Sequence, residues 1–426
     1  WSNNINVTQA MDRGHYSFSI GNTTQDGIVP NTGMDRYNAR MVAEAKLHDN
    51  WKTGFSGNFV TSTIKKSTGA NNGLVATLYG APASYDLAGI PNHVEGDPYT
   101  QNTFRATGGF DGPYWAIDHN KNEEKNQRFF GNTFVNYTTK LNTSNHKIDV
   151  RYQVGVDSYT TGYSDIWGYG HSNKKGEINE RNYTVLQANS LLTANYTWNI
   201  NEDMDLGVTL VNELVQSKNK YVRARGIDFN FPGWNHMDNA VSQYGYSTLK
   251  HERTVGNAYD VSLSYKNMLY FNTTGRQDVV SYMPRNNRTY FYPSVSLGWI
   301  FTELEPLKNN ILTYGKIRGS FAEVGMGERY LPSYYSAPTY SGGFYSGSPI
   351  IYPISGVSAY TQYSYVYDPN LKPQNTRSWA LGADFTLLNG LFTLNSTYSL
   401  QDVKDQIFDV PVARSPGYSY MITNGG

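Results

Sequence analysis

Apolar and polar residues alternate along most of this chain. From Ile148 to Val156 one set of alternate positions (Ile148, Val150, Tyr152, Val154, Val156) is apolar, and Asp149, Arg151, Gln153 and Gly155 fill the gaps. Successive side chains of a β-strand point to opposite faces, so such a segment has one greasy face and one wet face. The pattern recurs. Leu186, Ala188, Leu192, Ala194, Tyr196 and Trp198 alternate with Gln187, Asn189, Thr193, Asn195 and Thr197, and Val295, Leu297, Trp299 and Phe301 alternate with Ser294, Ser296 and Gly298. Val261, Leu263 and Tyr265 follow the same rule, as do Trp379, Leu381, Ala383, Phe385 and Leu387. Many long two-faced strands with a hydrophilic side predict an all-β, antiparallel transmembrane barrel, with lipid outside and water inside.

The alternation places strands at 14–25, 34–48, 51–66, 128–141, 146–160, 183–200, 204–222, 249–266, 269–282, 290–301, 312–324, 376–388 and 392–410. Connections after His48, Leu141, Ile200, Lys266 and Leu388 are short and polar, with Asn389-Gly390 a hairpin turn. They alternate with longer connections at about 67–127, 161–182, 223–248 and 325–375. Outer-membrane barrels have short periplasmic turns and long extracellular loops, so the long segments are expected outside the cell. Loops of such length are usually functional. The count of about thirteen strands is odd, whereas single-chain bacterial barrels have even numbers. Thr423-Asn424-Gly425-Gly426 reads as a turn. The expectation is the N-terminal and central part of a barrel, residues 1–426, within a longer chain.

Composition sharpens this reading. The mean hydropathy of -0.55 is low, and no apolar run reaches the length of a membrane-spanning helix, which excludes a helical membrane protein. A barrel escapes that test because only alternate residues face lipid. Aromatic residues make up 15% of the chain, including 36 Tyr; such rings suit a membrane interface and a glycan-binding surface equally. The formal net charge is zero, so nothing argues for a nucleic-acid partner. Without Cys, disulfides and thiolate metal sites are excluded. Trp1 to Ala10 is polar and carries no signal-peptide pattern. Asn-x-Thr triplets such as Asn136-Tyr-Thr and Asn195-Tyr-Thr fall inside expected strands and reflect strand composition.

Enzyme chemistry finds no support. There is no nucleophile elbow, phosphate loop, dinucleotide fingerprint or zinc-binding HExxH. Asp118 to Glu124 superficially resembles the start of a calcium loop, but it lacks the turn glycine and the distal Glu. No cofactor or metal is expected. The suggestive residues are loop aromatics set among Gly, Ser and Asn: Tyr114, Trp115, Trp167, Tyr169, Phe229, Trp234, Tyr334, Tyr335, Phe344 and Tyr345. Their rings can stack on sugar faces or anchor a protein partner. The competing role is packing of the loops against one another.

Five segments carry a family resemblance. Arg276-Gln277-Asp278 is followed by Tyr292-Pro293-Ser294-Val295-Ser296-Leu297-Gly298-Trp299, then by Lys316-Ile317-Arg318-Gly319-Ser320-Phe321-Ala322-Glu323-Val324-Gly325. Next come Asp368-Pro369-Asn370-Leu371-Lys372-Pro373-Gln374, with Gln374 where Glu is usual, and Phe408-Asp409-Val410-Pro411-Val412. In this order they resemble the SusC/RagA-type TonB-dependent transporters of Bacteroidetes. Trp1-Ser2-Asn3-Asn4-Ile5 looks like the family's handover from plug to barrel. The resemblance implies a 22-stranded barrel in the bacterial outer membrane, with a plug domain absent from this chain. It further implies import of oligosaccharides or peptides beneath a SusD-like lipoprotein lid, with TonB acting through the plug. The alternative is a passive porin or a structural scaffold of a surface complex. Arg276 and Asp278 lie two apart on one face, where a register-fixing ion pair inside the lumen is expected. Pro293 is expected to end pairing at a strand start, and Trp299 to face lipid.

Overall fold

The computed structural model describes residues 1–69, 73–104, 110–141, 145–327, 335–336, 355–357, 361–362 and 364–426. One 14-stranded antiparallel sheet dominates it, and its strands follow one another in chain order. They are β1 (Ser2–Met11), β2 (Gly14–Asp26), β3 (Gly33–His48), β4 (Trp51–Lys66), β5 (Lys121–Leu141), β6 (His146–Trp167) and β7 (Glu177–Asn201). The order continues with β8 (Met204–Phe229), β9 (Ala240–Tyr265), β10 (Leu269–Val280), β11 (Thr289–Ile300), β12 (Leu312–Met326), β13 (Gln374–Leu387) and β14 (Phe392–Lys404). β1 and β14 each pair on one side and form the two edges of the sheet.

The sheet curves, and its polar face is the concave one. Arg40, Ser56, Asn58, Asn132, Gln153, Asp157, Gln187, Asn189 and Glu213 line a single hollow that crosses β3 to β8. Asp205, Ser262, Asn272, Ser296, Lys316 and Arg318 line another across β8 to β12. The opposite, convex face carries exposed Phe55, Val154, Leu192, Leu210, Leu297 and Leu381. A soluble protein rarely leaves so wide an apolar surface in water. Lipid resolves the mismatch, because the side chains that would form a core in a soluble fold solvate in the hydrocarbon instead.

Aromatic belts mark the height of that band. Near the short turns the convex face bears Trp51 against Tyr137 (ring centroids 4.8 Å apart), Trp198, and Trp299 against Phe301 (5.8 Å). Further up stand Phe59 opposite Phe129, and Phe291. Trp51 to Phe59 and Phe291 to Trp299 each span about 26 Å at 3.3 Å per residue, the scale of the apolar band of an outer-membrane barrel. β8 and β9 have 26 residues each, well beyond the roughly ten that cross a tilted bilayer. The wall therefore rises far above the upper belt at its long-loop end. No helix among the described residues is long and apolar enough to cross a membrane, a test that leaves strands untouched.

Several elements differ from the sequence expectation, each for a physical reason. Ser2–Met11 pairs with β2 along its whole length, adding a strand to the expected set. Its alternation is faint, with only Ile5, Val7 and Met11 apolar on the outward set. β5 starts at Lys121 rather than 128, β6 runs to Trp167, β7 starts at Glu177, β8 runs to Phe229 and β9 starts at Ala240. The expected loops 161–182 and 223–248 thus shrink to 168–176 and 230–239. Above the bilayer neither face needs apolar residues, so the alternation fades while the ladder of backbone hydrogen bonds continues. Pro293 sits inside β11 rather than at its start, yet pairing with β12 begins only at Ser294. The missing N–H thus falls where that ladder has not begun.

At the end of the chain the expected strand 392–410 breaks at Asp405, whose φ is 53°. Gln406–Pro411 then joins a small sheet with Tyr420–Gly425, which is a strand and not the expected turn, and with Tyr365–Tyr367. The segment Asp368-Pro369-Asn370-Leu371-Lys372 is clamped against this sheet. Asp368 Oδ1 accepts from Asn370 N (2.8 Å), and Thr423 Oγ1 donates to Asp368 Oδ2 (2.9 Å). Asn424 Oδ1 accepts from Lys372 N (2.7 Å), while its Nδ2 donates to the carbonyls of Lys372 and Asp405 (2.8 Å each). The clamp seats Leu371, fully buried, among Val280, Met283, Tyr290 and Ile422. This motif is structural: it pins the return of the long connection after β12 to the β10–β11 hairpin.

Candidate functional site

Three connections at the high end of the wall fold into one block. The connection from β4 to β5 contains α1 (Leu74–Tyr79), a short hairpin (His93–Val94 with Asp97–Gln101) and α2 (Pro113–His119). Gly112-Pro113 starts α2 because proline fits the first helical position, where no N–H is needed. Four residues along the helix, His119 stacks flat on Trp115, with ring centroids 4.4 Å apart and planes within 4°. Trp115 Nε1 donates to Pro98 O (2.9 Å), and the side chain is wholly buried.

Asp111 ties this connection to the next one. Only 6% exposed, it accepts from Gln101 Nε2 (2.8 Å), Asn120 Nδ2 (2.9 Å) and Ser172 N (2.7 Å), and it pairs with His171. Burial pushes its carboxyl upward, but His171, Gln101 and the Ser172 N–H outweigh it and hold the group below the usual carboxylate range. Gly170 has φ +97° and lies so close to Tyr99 O that a Cβ would stand 1.9 Å away, so only glycine fits. Next along the wall, Phe229 is fully buried with Ile178 and Ala240, and Ile166, Tyr169 and Met237 pack around them. Among the described residues no group of three or more His, Asp or Glu side chains is placed to hold a metal ion.

The block gathers six of the aromatics singled out from the sequence, and it sorts them. Trp115 and Phe229 offer no surface to a ligand, and their role is packing. Tyr169 meets Tyr99 edge to face at 6.0 Å, and Trp167 tilts against His171 at 6.0 Å. Tyr114 (48% exposed) and Trp234 (44%) reach solvent, the latter stacked on His236 at 5.1 Å. Tyr335 lies in a two-residue strand, Tyr335–Ser336, paired with Thr361–Gln362. Tyr334, Phe344 and Tyr345 lie outside the described residues.

Inside the wall, charges are arranged in pairs. Arg276 donates to Asp278 (2.8 Å) and to Glu213 two strands away (2.7 Å). Its guanidinium lies over Gly256 on the intervening strand, where a Cβ would stand 2.3 Å from Nη2. The expected lumen ion pair is therefore a triad that crosses β8, β9 and β10. Arg128 is bidentate to Asp157, Arg318 bridges Asp384 and Thr397, and Arg181 pairs with Asp165 at 2.5 Å.

A row of inner-wall tyrosines escaped the sequence reading. Above the upper belt, Tyr163 on β6, Tyr183 on β7, Tyr221 on β8 and Tyr246 on β9 form a continuous ladder. Successive ring centroids are 5.9, 4.5 and 5.7 Å apart. Tyr183 has the same parity along β7 as the hollow-lining Gln187 and Asn189, and Tyr221 the same parity along β8 as Glu213. The ladder thus faces the interior. Arg181 covers the Tyr163 ring at 4.9 Å, Arg225 pairs with Glu177, and Arg223 donates to Asn179 at 2.8 Å. A sequence signal existed: these rings occupy wet-face positions, but only the register reveals that they are neighbours.

Comparison with known proteins agrees with this architecture. A family model described as TonB dependent receptor-like, beta-barrel, matches residues 67–426. TonB-dependent receptor P26 of Formosa agariphila is 22% identical over 99% of this chain and 41% of its own length. TonB-dependent receptor SusC of Bacteroides thetaiotaomicron is 26% identical over 89% of this chain and 38% of its own. The chain therefore spans about two fifths of the length of the curated relatives it matches. A solved structure of the RagAB peptide transporter superposes with a TM-score of 0.77 at 15% identity, covering 99% of this chain and 46% of that one. At that identity the likeness concerns the fold.

Proposed function

The chain belongs to the TonB-dependent receptor-like β-barrel family, and on that premise we propose that it forms barrel wall of an outer-membrane importer of oligosaccharides or peptides. The carrying observation is the two-sided wall, with an apolar convex face between two aromatic belts and a concave face of polar side chains and closed ion pairs. Such a wall lets a hydrophilic solute pass and offers lipid a mainly apolar, uncharged face. In this reading TonB supplies energy through a plug domain outside this chain, and a SusD-like surface lipoprotein caps the mouth. The loop block around Asp111 fits that partner, since Asp111 cross-links its segments and the block presents Tyr114 and Trp234 to solvent. A few such anchors usually dominate the energy of an interface. The protein moves its substrate without altering it.

The test uses the full-length protein in its native outer membrane. Uptake of its nutrient should stop when TonB is absent, and replacing 73–119 by a short linker, together with Trp234→Ala, should release the lipoprotein in a pull-down while the barrel stays heat-modifiable. Uptake that persists without TonB would replace active import with passive permeation. A partner still retained after the replacement would remove the cap from this block.

A further inference from the structure

We propose that the tyrosine ladder at the mouth of the wall is a binding track for neutral oligosaccharide chains, an inference that rests on the import reading and names its substrate class. Tyr163, Tyr183, Tyr221 and Tyr246 sit on four adjacent strands, and the inward direction follows from their parity with the hollow-lining residues. On β7, Tyr183 lies fifteen residues beyond the belt residue Trp198 (198 − 183 = 15). That is about 50 Å along the strand at 3.3 Å per residue, well above the apolar band. No lipid reaches these rings, so the interfacial role that explains Trp51 or Trp299 does not explain them.

Tyr183 is 40% exposed and Tyr246 49%, with half-buried Tyr221 between them. Tyr163, at the far end, is half-buried beneath Arg181. Neighbouring strands are about 4.8 Å apart, so Tyr183 and Tyr246 offer ring surface across two strand spacings, roughly 10 Å. Successive rings of a sugar chain laid along the rim can each meet an aromatic face on such a row.

Charge decides the class. Arg181 is neutralised by Asp165 and Arg225 by Glu177. Arg223 donates to the Asn179 amide. The surface beside the rings is therefore rich in hydrogen-bond donors and acceptors and nearly balanced in charge. A polyol with flat apolar ring faces and many hydroxyls suits it, because aromatic faces cover the C–H surface while amides and guanidinium edges take the hydroxyls. Among the described residues an anionic chain would meet Arg223, held by an amide, and Lys250 farther along the inward face of β9, two cations set among closed pairs. A peptide would have to bring its terminal charges to a surface whose other charges are already paired.

The experiment measures binding by the purified full-length protein in detergent, using calorimetry. The probes are neutral hexasaccharides of glucose, mannose, xylose and fructose, and an uncharged, end-capped hexapeptide. At least one hexasaccharide should bind more tightly than the peptide. Tyr183→Ala and Tyr246→Ala should each weaken it about tenfold, the scale of one lost aromatic contact. Tyr183→Phe should keep most of the affinity, because the ring remains. Tyr37→Ala, which removes a ring from the convex face, should change nothing. Heat-modifiability of every variant shows that the barrel has formed. Binding of no hexasaccharide, tighter binding of the peptide, or saccharide binding indifferent to Tyr183 and Tyr246 would each overturn the proposal. Binding on purified protein needs no TonB, so Tyr-dependent binding alongside TonB-independent uptake would sink the import reading alone. TonB-dependent uptake with binding indifferent to the ladder would sink only the track.

Discussion

Exchanging one residue on each face of the wall tests its two-sidedness directly. Val154 on β6 stands on the convex face, 41% exposed, opposite Thr133 and Ser190 on its neighbours. Its partner Thr133 is paired in turn with Phe55, midway between the belt residues Trp51 and Phe59 on β4, which places Val154 within the band. Its strand partners Thr133 and Ser190 carry no charge, so an Arg at 154 has no acidic neighbour directly across the sheet. Val154→Arg should cost about 2–4 kcal/mol if the position faces hydrocarbon near the midplane. Gln187 on β7 is three residues from Ser190 but faces the concave side, directly opposite Asp157. Gln187→Arg keeps its charge in water beside the closed Arg128–Asp157 pair, so its cost should stay within about 0.5 kcal/mol of zero. The full-length protein refolded into lipid vesicles, with folded fraction followed by heat-modifiability against urea, reads both. The two folding constants should differ by at least tenfold, since about 1.4 kcal/mol is a factor of ten. Equal damage from both would mean that the strand is covered on both faces, and the lumen would vanish with it.

The band itself was legible in the sequence because lipid imposes the period-two alternation residue by residue, and the register found for β5 to β9 follows it. Outside the band that constraint ends. Hence Lys121 to Gln127, Thr161 to Trp167 and Arg223 to Phe229 read as loops although backbone hydrogen bonds hold them in the sheet. The same loss hid the tyrosine ladder. Tyr163 and Tyr183 are twenty positions apart, Tyr221 and Tyr246 twenty-five, and only strand register makes them neighbours. Trp115 and Phe229 show the converse. Aromatic residues among glycines look like anchors, but Gly176 leaves room for Phe229 to pack inward, where a Cβ would come within 2.6 Å of its ring. The Arg276 triad was half visible, since Asp278 is local and Glu213, 63 residues away, is not.

Three further expectations rest on single contacts. Asn424→Ala removes the bond from Lys372 N and those to the carbonyls of Lys372 and Asp405. At about 1 kcal/mol per bond it should cost about 2–3 kcal/mol and expose the 364–373 return to protease, while an uncleaved segment would refute the clamp. Arg276→Leu leaves Glu213 and Asp278 facing each other across Gly256 without their cation. It should destabilise more than Arg276→Leu combined with Glu213→Gln, and additive losses in that double-mutant cycle would deny the triad. Asp111 makes the loop block sensitive to acid. Its carboxyl titrates below its unfolded value, so its contribution is complete above about pH 4 and disappears as pH falls through the lower folded value. The loop block should therefore come apart in acid before the barrel does, seen as a change in Trp115 fluorescence with heat-modifiability intact. Asp111→Asn keeps the shape of the side chain but not the charge, so it should loosen the block at neutral pH and flatten that acid transition. If the variant kept the same acid midpoint, the transition would belong to another carboxylate, and Asp111 would be no more than one polar contact among several.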